Sequence, residues 1–317
     1  MGVKVLLSGG AGFIGSWVAE ALLRAGHEVA VFDNLATGNR ANLSRVMKDI
    51  QLYEGDVRDA SLVDQAASEC DAVVHLAAVS NVVDCTNNPR FALSTNVEGT
   101  LTLLEAARWN SYRRFVFASS AAVYGEPRAL PVPETASPSP MSVYAATKLA
   151  GEALVDAYAS SFGLSGVCLR LFNVYGPRQR AGDYAGVITK FFDDAKRKGT
   201  LTIEGTGRQT RDLVFVEDAA RAVVKALGSR AGGHYNIGSG GETSVSKLAA
   251  WVKRHAGRRL DVVRAEGRVG DISRSCADVR LAKRYLRWEP TVDIEKGLER
   301  TFEWYSSAER GAARRPA

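Results

Sequence analysis

Short apolar runs alternate with stretches of helical periodicity through the first half of the chain. The runs fall at residues 3–8, 27–33, 51–56, 72–77, 114–119 and 166–171, with helical spacing of apolar positions near 13–25, 59–69, 89–110 and 142–163. Near-continuous apolar runs predict strands covered on both faces, and the strand–helix alternation predicts a parallel sheet flanked by helices. The expected fold is α/β, a doubly wound parallel sheet. Residues 126–141 hold Pro127, Pro131, Pro133, Pro138 and Pro140 and predict a loop leading into the helix at 142–163.

Past Asn173 the rhythm loosens. Helices near 184–198 and 217–228 and strands at 201–203, 213–216 and 235–238 are expected, then a helix, a short strand and two more helices over 239–305. The expected division is a sheet domain over 1–172, to which 213–237 return, and a smaller C-terminal α/β lobe from 173–212 and 238–305. That lobe would close over the carboxyl ends of the strands, where such sheets bind ligands. Residues 306–317 read as a disordered tail.

The first chemical signal lies between the first strand and the first helix, where Gly9, Gly12 and Gly15 stand three apart. Such glycines let the backbone turn sharply, approach a pyrophosphate and pack helix on strand, while the helix N-terminus offers free N–H groups to phosphate. The second strand ends in Asp33. A carboxylate there accepts hydrogen bonds from an adenosine ribose and repels a 2′-phosphate, which favours NAD over NADP. Strand, glycine turn, helix and acid together predict a dinucleotide-binding (Rossmann) site.

Composition narrows this picture. The chain has 317 residues, 46% of them hydrophobic, enough for one large core or two unequal ones. No apolar run approaches the ~20 residues needed to span a bilayer. The chain enters a core strand at once, leaving no room for a signal peptide, so a cytoplasmic location without membrane contact is expected. Cys70, Cys85, Cys168 and Cys276 are scattered, and the four histidines show no ligand spacing, so neither a disulfide framework nor a metal is expected. The net charge of +6 is spread over local clusters and the tail rather than one face, which argues against nucleic acid and leaves arginines for an anionic small molecule.

The second chemical signal is Tyr144 with Lys148, helix neighbours one turn apart. A phenol is a poor base at neutrality, and a nearby cation favours the phenolate, so the spacing predicts a tyrosine whose pKa is drawn down by lysine. An ordinary half-buried Tyr beside a surface Lys gives the same pattern.

With these motifs placed, the chain resembles the extended short-chain dehydrogenase/reductases, specifically the nucleotide-sugar epimerase/dehydratase group, over about residues 3–305. The matching positions are Gly9, Gly12 and Gly15; Asp33 and Asn34; Asp56 and Val57; residues 75–78; Asn96 with Gly99 and Thr100; and residues 119–125. Tyr144 and Lys148, residues 173–178, Arg211 and Asp212, and Arg268, Gly270 and Asp271 complete the set. The resemblance implies that Gly9, Gly12, Phe13, Ile14 and Gly15 hold the NAD phosphates and that Asp33 and Asn34 hold its adenosine ribose. By the same resemblance Asp56 and Val57 flank the adenine, and Leu76, Ala77, Ala78 and Asn96 line the cofactor. Tyr144 would be the base, Lys148 would bind the nicotinamide ribose, and Ser120 would hydrogen-bond the reacting oxygen. Asn173, Arg211 and Arg268 would hold the diphosphate of a UDP-sugar, and Asp271 its ribose. His75 reads as a strand-end residue near the cofactor rather than a catalyst. The helices at 89–110 and 142–163 would build a homodimer.

Within that group, relatives that eliminate water are acidic at the positions of Ala121 and Ala122, and UDP-glucuronate decarboxylases are acidic at the second. Alanines do no proton chemistry, so 4-epimerisation of a UDP-hexose is expected. Other NAD-dependent nucleotide-sugar chemistry (dehydratase, decarboxylase or reductase) and a non-catalytic NAD-binding sensor are the alternatives. In the UDP-galactose 4-epimerase pattern a bulky tyrosine at the position of Ser275 restricts the pocket to unmodified hexoses. Ser275 therefore predicts turnover of UDP-GlcNAc and UDP-GalNAc beside UDP-glucose and UDP-galactose. Val269 replaces the usual proline of that motif.

Overall fold

The computed structural model describes residues 2–112, 114–180, 186–267 and 272–312. The first half gives β1 Lys4–Ser8, α1 Phe13–Arg24, β2 Glu28–Asp33, β3 Ile50–Glu54, α2 Ala60–Ala67 and β4 Ala72–His75. Next come α3 Val82–Asn87, α4 Pro89–Leu93, α5 Gly99–Trp109, β5 Arg114–Ser120, α6 Val143–Phe162 and β6 Gly166–Leu171. The rest gives β7 Asn173–Tyr175, α7 Val187–Arg197, β8 Thr200–Glu204, β9 Thr210–Arg211, β10 Leu213–Phe215 and α8 Val216–Gly228. It closes with β11 Gly233–Ile237, β12 Thr243–Ser244, α9 Val245–His255, β13 Asp261–Ala265 and α10 Ile294–Ala312.

Seven strands form one sheet in the order β11-β6-β5-β4-β1-β2-β3. Every pairing in it is parallel. The order reverses between β1 and β4, which opens a crevice at the carboxyl ends of those strands. Side chains alternate across the pleat. Val5, Leu7, Val31, Val74 and Val116 join one buried cluster, which Val18 of α1 and Val223 of α8 also enter. Leu6, Phe32, Val73, Phe115 and Phe117 join the opposite cluster, which Val63 of α2, Leu103 of α5 and Val155 of α6 complete. Each fully buried side chain of this size stabilises the fold by ~1.5–3 kcal/mol. A separate core gathers Tyr175, Ile188, Phe191, Phe192, Leu201, Ile203 and Trp251 around α7, α9 and the small β8–β13 sheet.

Two stretches differ from expectation. The single helix expected over 89–110 is α4 and α5 joined by a π-helical turn, Ser94–Glu98, and α3 precedes it. Asn81 and Asn88 cap α3 and α4 through their side chains, and Pro89 takes the first position of α4. Residues 306–312, expected as tail, continue α10. Ala308, Glu309, Arg310 and Ala312 are good helix formers and carry the helix past Tyr305. No helix among the described residues is long and apolar enough to cross a membrane.

Candidate active site

Two cavities meet at the carboxyl end of the sheet. The larger, about 750 Å³, runs from the glycine turn past β2 and β4 to Ser120, Tyr144 and Lys148. The smaller, about 230 Å³, lies between the residues after β5 and the C-terminal segment around Ser275. Ser120, Tyr144, Leu171 and Phe172 line both.

The wall at the glycine turn is bare backbone. Gly9 has φ +72°, and a Cβ there would stand 2.6 Å from the Ala77 nitrogen. A Cβ on Gly15 would stand 2.0 Å from the Gly9 carbonyl oxygen. No side chain caps α1, whose first N–H groups lie at the cavity beside Gly12, Phe13, Ile14 and Gly15. Asp33 is buried, and its Oδ2 and Oδ1 accept from the Ala11 and Leu35 nitrogens at 2.9 and 2.8 Å. Burial raises its pKa, and those two hydrogen bonds oppose the rise. Each oxygen keeps a lone pair for a ligand. An uncapped helix N-terminus, close-approach glycines and this acid fit a dinucleotide.

The opposite wall is set by a buried hydrogen-bond chain. Ser8 Oγ meets His75 Nδ1 at 2.7 Å, His75 Nε2 meets Thr100 Oγ1 at 2.9 Å, and Thr100 donates to the Asn96 carbonyl. The last bond makes Thr100 an acceptor for the ring, so Nε2 carries the proton and Nδ1 accepts from Ser8. Burial pushes His75 down to about 3, so the ring is neutral and braces the β1 and β4 ends. Leu76, Ala77 and Ala78 line the cavity just beyond it. Asn96 is buried behind that wall. Its Oδ1 accepts from Val79 N at 2.8 Å, and its Nδ2 donates to the Val79 carbonyl and Thr147 Oγ1 at 3.0 Å each. Val57 and Asn34 line the cavity. The Asp56 carboxylate turns instead to Arg58 and Asn34, and the guanidinium holds it down to about 2.

Ser120, Tyr144 and Lys148 come from β5 and α6. Ser142 caps α6 by accepting from Ala145 N, which starts the helix at Val143, one residue before Tyr144. Ser120 Oγ accepts from Ala122 N at 3.2 Å, and its hydroxyl lies beside the Tyr144 phenol. Lys148 Nζ donates to the Ala118 carbonyl at 2.8 Å and lies 6.0 Å from the centre of the Tyr144 ring. The electrostatics of this pair differ from the lowered tyrosine pKa that the spacing predicts. Burial pushes Tyr144 up to about 12, opposed by the neighbouring Ser120 hydroxyl, and the Lys148 ammonium does not bring it down. Lys148 is itself held down to about 8 by burial, so the cost of a buried charge falls on both groups.

Behind these residues, Glu152 continues the α6 stripe of Tyr144 and Lys148. It accepts from Ser119 Oγ at 2.5 Å and pairs with Arg170 at 2.7 Å, both charged groups buried. His234 accepts from Arg170 and pairs with Asp156 at 3.0 Å. Asp156, Cys168 and His234 lie close enough to hold an ion, but these protein contacts already occupy both ring nitrogens.

Asn173, Arg211 and Ser275 line the smaller cavity with Ala121 and Ala122. Arg211 is fixed by bonds to the Thr210 and Ile272 carbonyls. Arg268 and Asp271 lie outside the described residues. Sequence reasoning missed Phe172, Thr95 and Gln179, which line the cavities, and left the Asn81 loop unassigned. Phe172 had one available signal, its place between a strand end and Asn173.

A sheet of this order with a glycine turn at its switch point and a Ser–Tyr–Lys group at its rim defines a dinucleotide-binding α/β protein. The chain belongs to the NAD dependent epimerase/dehydratase family, whose model matches residues 5–238. It is 36% identical to a UDP-glucose 4-epimerase of Mycolicibacterium smegmatis over 96% of this chain and 98% of that one. It is 32% identical to UDP-glucuronic acid decarboxylase 1 of Xenopus tropicalis, over 95% of this chain and 72% of that one. Its structure matches the UDP-N-acetylglucosamine 4-epimerase of Methanobrevibacter ruminantium M1, in complex with UDP-N-acetylmuramic acid, with TM-score 0.93 and 32% identity, over 97% and 99% of the two chains.

Proposed function

We propose that this protein is a NAD-dependent UDP-sugar 4-epimerase. It would oxidise the sugar at C4, turn the 4-keto sugar in place and reduce it from the other face. UDP-glucose and UDP-galactose are the expected pair, with UDP-GlcNAc and UDP-GalNAc also accepted. The observation that carries this reading over dehydration or decarboxylation is the lining of the smaller cavity. Among the described residues no carboxylate lines it, and Ala121 and Ala122, whose positions are acidic in the water-eliminating relatives that the chain resembles, are among its lining residues.

Bound NAD supplies the hydride acceptor and donor and, when oxidised, a positive charge beside the phenol. Tyr144 takes the proton of the C4 hydroxyl and returns it after the sugar turns. Ser120 hydrogen-bonds the same oxygen and steadies the phenol. Lys148 holds the nicotinamide ribose. Asn173, Arg211 and Arg268 hold the diphosphate and Asp271 the ribose, while the short side chains of Ala121, Ala122 and Ser275 leave room for the sugar to turn.

The test is product identity. Purified protein given UDP-galactose, and separately UDP-GalNAc, without added NAD should form the C4 epimer of each. A 4-keto-6-deoxy sugar or released carbon dioxide would refute the reading. Ser275→Tyr should cut UDP-GalNAc turnover by about a hundredfold while sparing UDP-galactose, because the phenol fills the N-acetyl space. If N-acetylhexosamine turnover survives that substitution, the pocket argument fails.

The homodimer expected from α5 and α6 is part of the same proposal. Leu101, Trp109 and Phe162 are exposed there, and Arg108 stacks on the Trp109 and Phe162 rings. Light scattering should give about twice 34.1 kDa, and Trp109→Glu should shift it toward the monomer. A monomeric wild-type protein would contradict this.

A further inference from the structure

Asp212 sits between β9 and β10, fully buried, and lines neither cavity. Four donors converge on its carboxylate. Oδ1 accepts from Ser239 N at 2.5 Å and Ser239 Oγ at 2.7 Å, and Oδ2 accepts from Gly240 N at 3.0 Å and Ala277 N at 2.9 Å. No cation pairs with it among the described residues. Its main-chain carbonyl accepts from Asn173 N at 3.0 Å. Gly238 allows this approach, since a Cβ there would stand 2.8 Å from Oδ2.

An ionised carboxylate away from water is costly unless its lone pairs are filled, and here main-chain and hydroxyl donors fill them. Those donors belong to chain segments far apart in sequence. One is the 239–240 turn, which leads to β12, the strand paired with Arg211. Another is Ala277, two residues after Ser275. The Asn173 bond joins the end of the main sheet to the same point.

We infer that Asp212 is a positioning residue that holds Asn173, Arg211 and Ser275 in mutual register, so that affinity for the nucleotide sugar depends on it. This rests on the proposed function of the smaller cavity. Asp212 lines neither cavity, and none of its hydrogen bonds goes to the glycine turn, Ser120, Tyr144 or Lys148. Its removal therefore loosens the substrate wall and leaves the cofactor wall and the proton-transfer group in place.

The test compares wild-type holoenzyme with Asp212→Asn and Ser239→Ala. The asparagine amide turns an NH2 toward main-chain donors, whereas Ser239→Ala deletes one donor and keeps the charge. Asp212→Asn should raise KM for the UDP-sugar and Kd for UDP, by calorimetry, about tenfold or more, with kcat within about twofold and bound NAD unchanged. Ser239→Ala should raise both constants about threefold. A residue that merely stabilised the fold would lower the melting temperature and leave this split unseen. KM and Kd within about twofold of wild type in both variants, a fall in kcat at unchanged KM, or loss of NAD would each overturn the inference. Should Asp212→Asn fail to fold, Ser239→Ala decides alone. Wild-type protein that turns over no UDP-sugar would defeat the functional reading, while the UDP affinities would still decide the role of Asp212.

Discussion

Replacing Tyr144 with Phe should leave a folded protein that keeps its NAD and loses about a thousandfold or more of its turnover. The substitution removes one oxygen and leaves the ring, so packing against the cavity wall survives. What disappears is the oxygen proposed to exchange a proton with the sugar, which lies beside the Ser120 hydroxyl. Without cofactor the phenol is pushed up to about 12, far from a useful base. In the proposed mechanism its activation comes with the bound, positively charged nicotinamide. Single-turnover and steady-state rates, with bound NAD measured by absorbance, test this. Near-normal rates in Tyr144→Phe would end the role assigned to Tyr144.

Lys148→Met should move activity and stability in opposite directions. Turnover should fall about a hundredfold, because the proposed contact to the nicotinamide ribose is lost. Stability of the cofactor-free protein should rise at pH 7. Burial holds Lys148 at about 8 against its ordinary 10.5. Between those values the unfolded chain binds more protons than the folded one, so wild-type stability rises with pH across that window. Below it both states are charged, and the full cost of burying the ammonium, about 3 kcal/mol, is present. The lost bond to the Ala118 carbonyl offsets part of the gain. Urea unfolding of both proteins at pH 7 and pH 10 should show the variant ahead at the lower pH and the gap narrowing at the higher. A variant less stable than wild type at both would contradict this account of Lys148.

Much of this was legible in the chain because the relevant physics is local. Apolar runs marked every strand of the seven-stranded sheet, and the spacing of Gly9, Gly12 and Gly15 placed the cavity at the first turn. The interruption at Ser94–Glu98 was not legible. Periodicity there reads as continuous helix, and the π-helical turn accompanies the tertiary bond of Asn96 to the backbone of Val79. The pairing of Tyr144 with Lys148 was visible, but its electrostatics were not. Spacing does not say that Nζ turns to the Ala118 carbonyl or that burial outweighs proximity. Nor does a strand-end aspartate reveal that Asp56 belongs to Arg58. The convergence of Ser239, Gly240 and Ala277 on Asp212 depends on chain closure that no local pattern carries.

The central claim is that the hydrogen taken from C4 returns to C4 of the same sugar. Running the conversion of UDP-galactose to completion in D2O and reading the product by proton NMR tests it directly. The account predicts UDP-glucose that retains its C4 hydrogen and contains no deuterium at carbon. Deuterium at C4, or a product lacking the C6 hydroxyl, would contradict it.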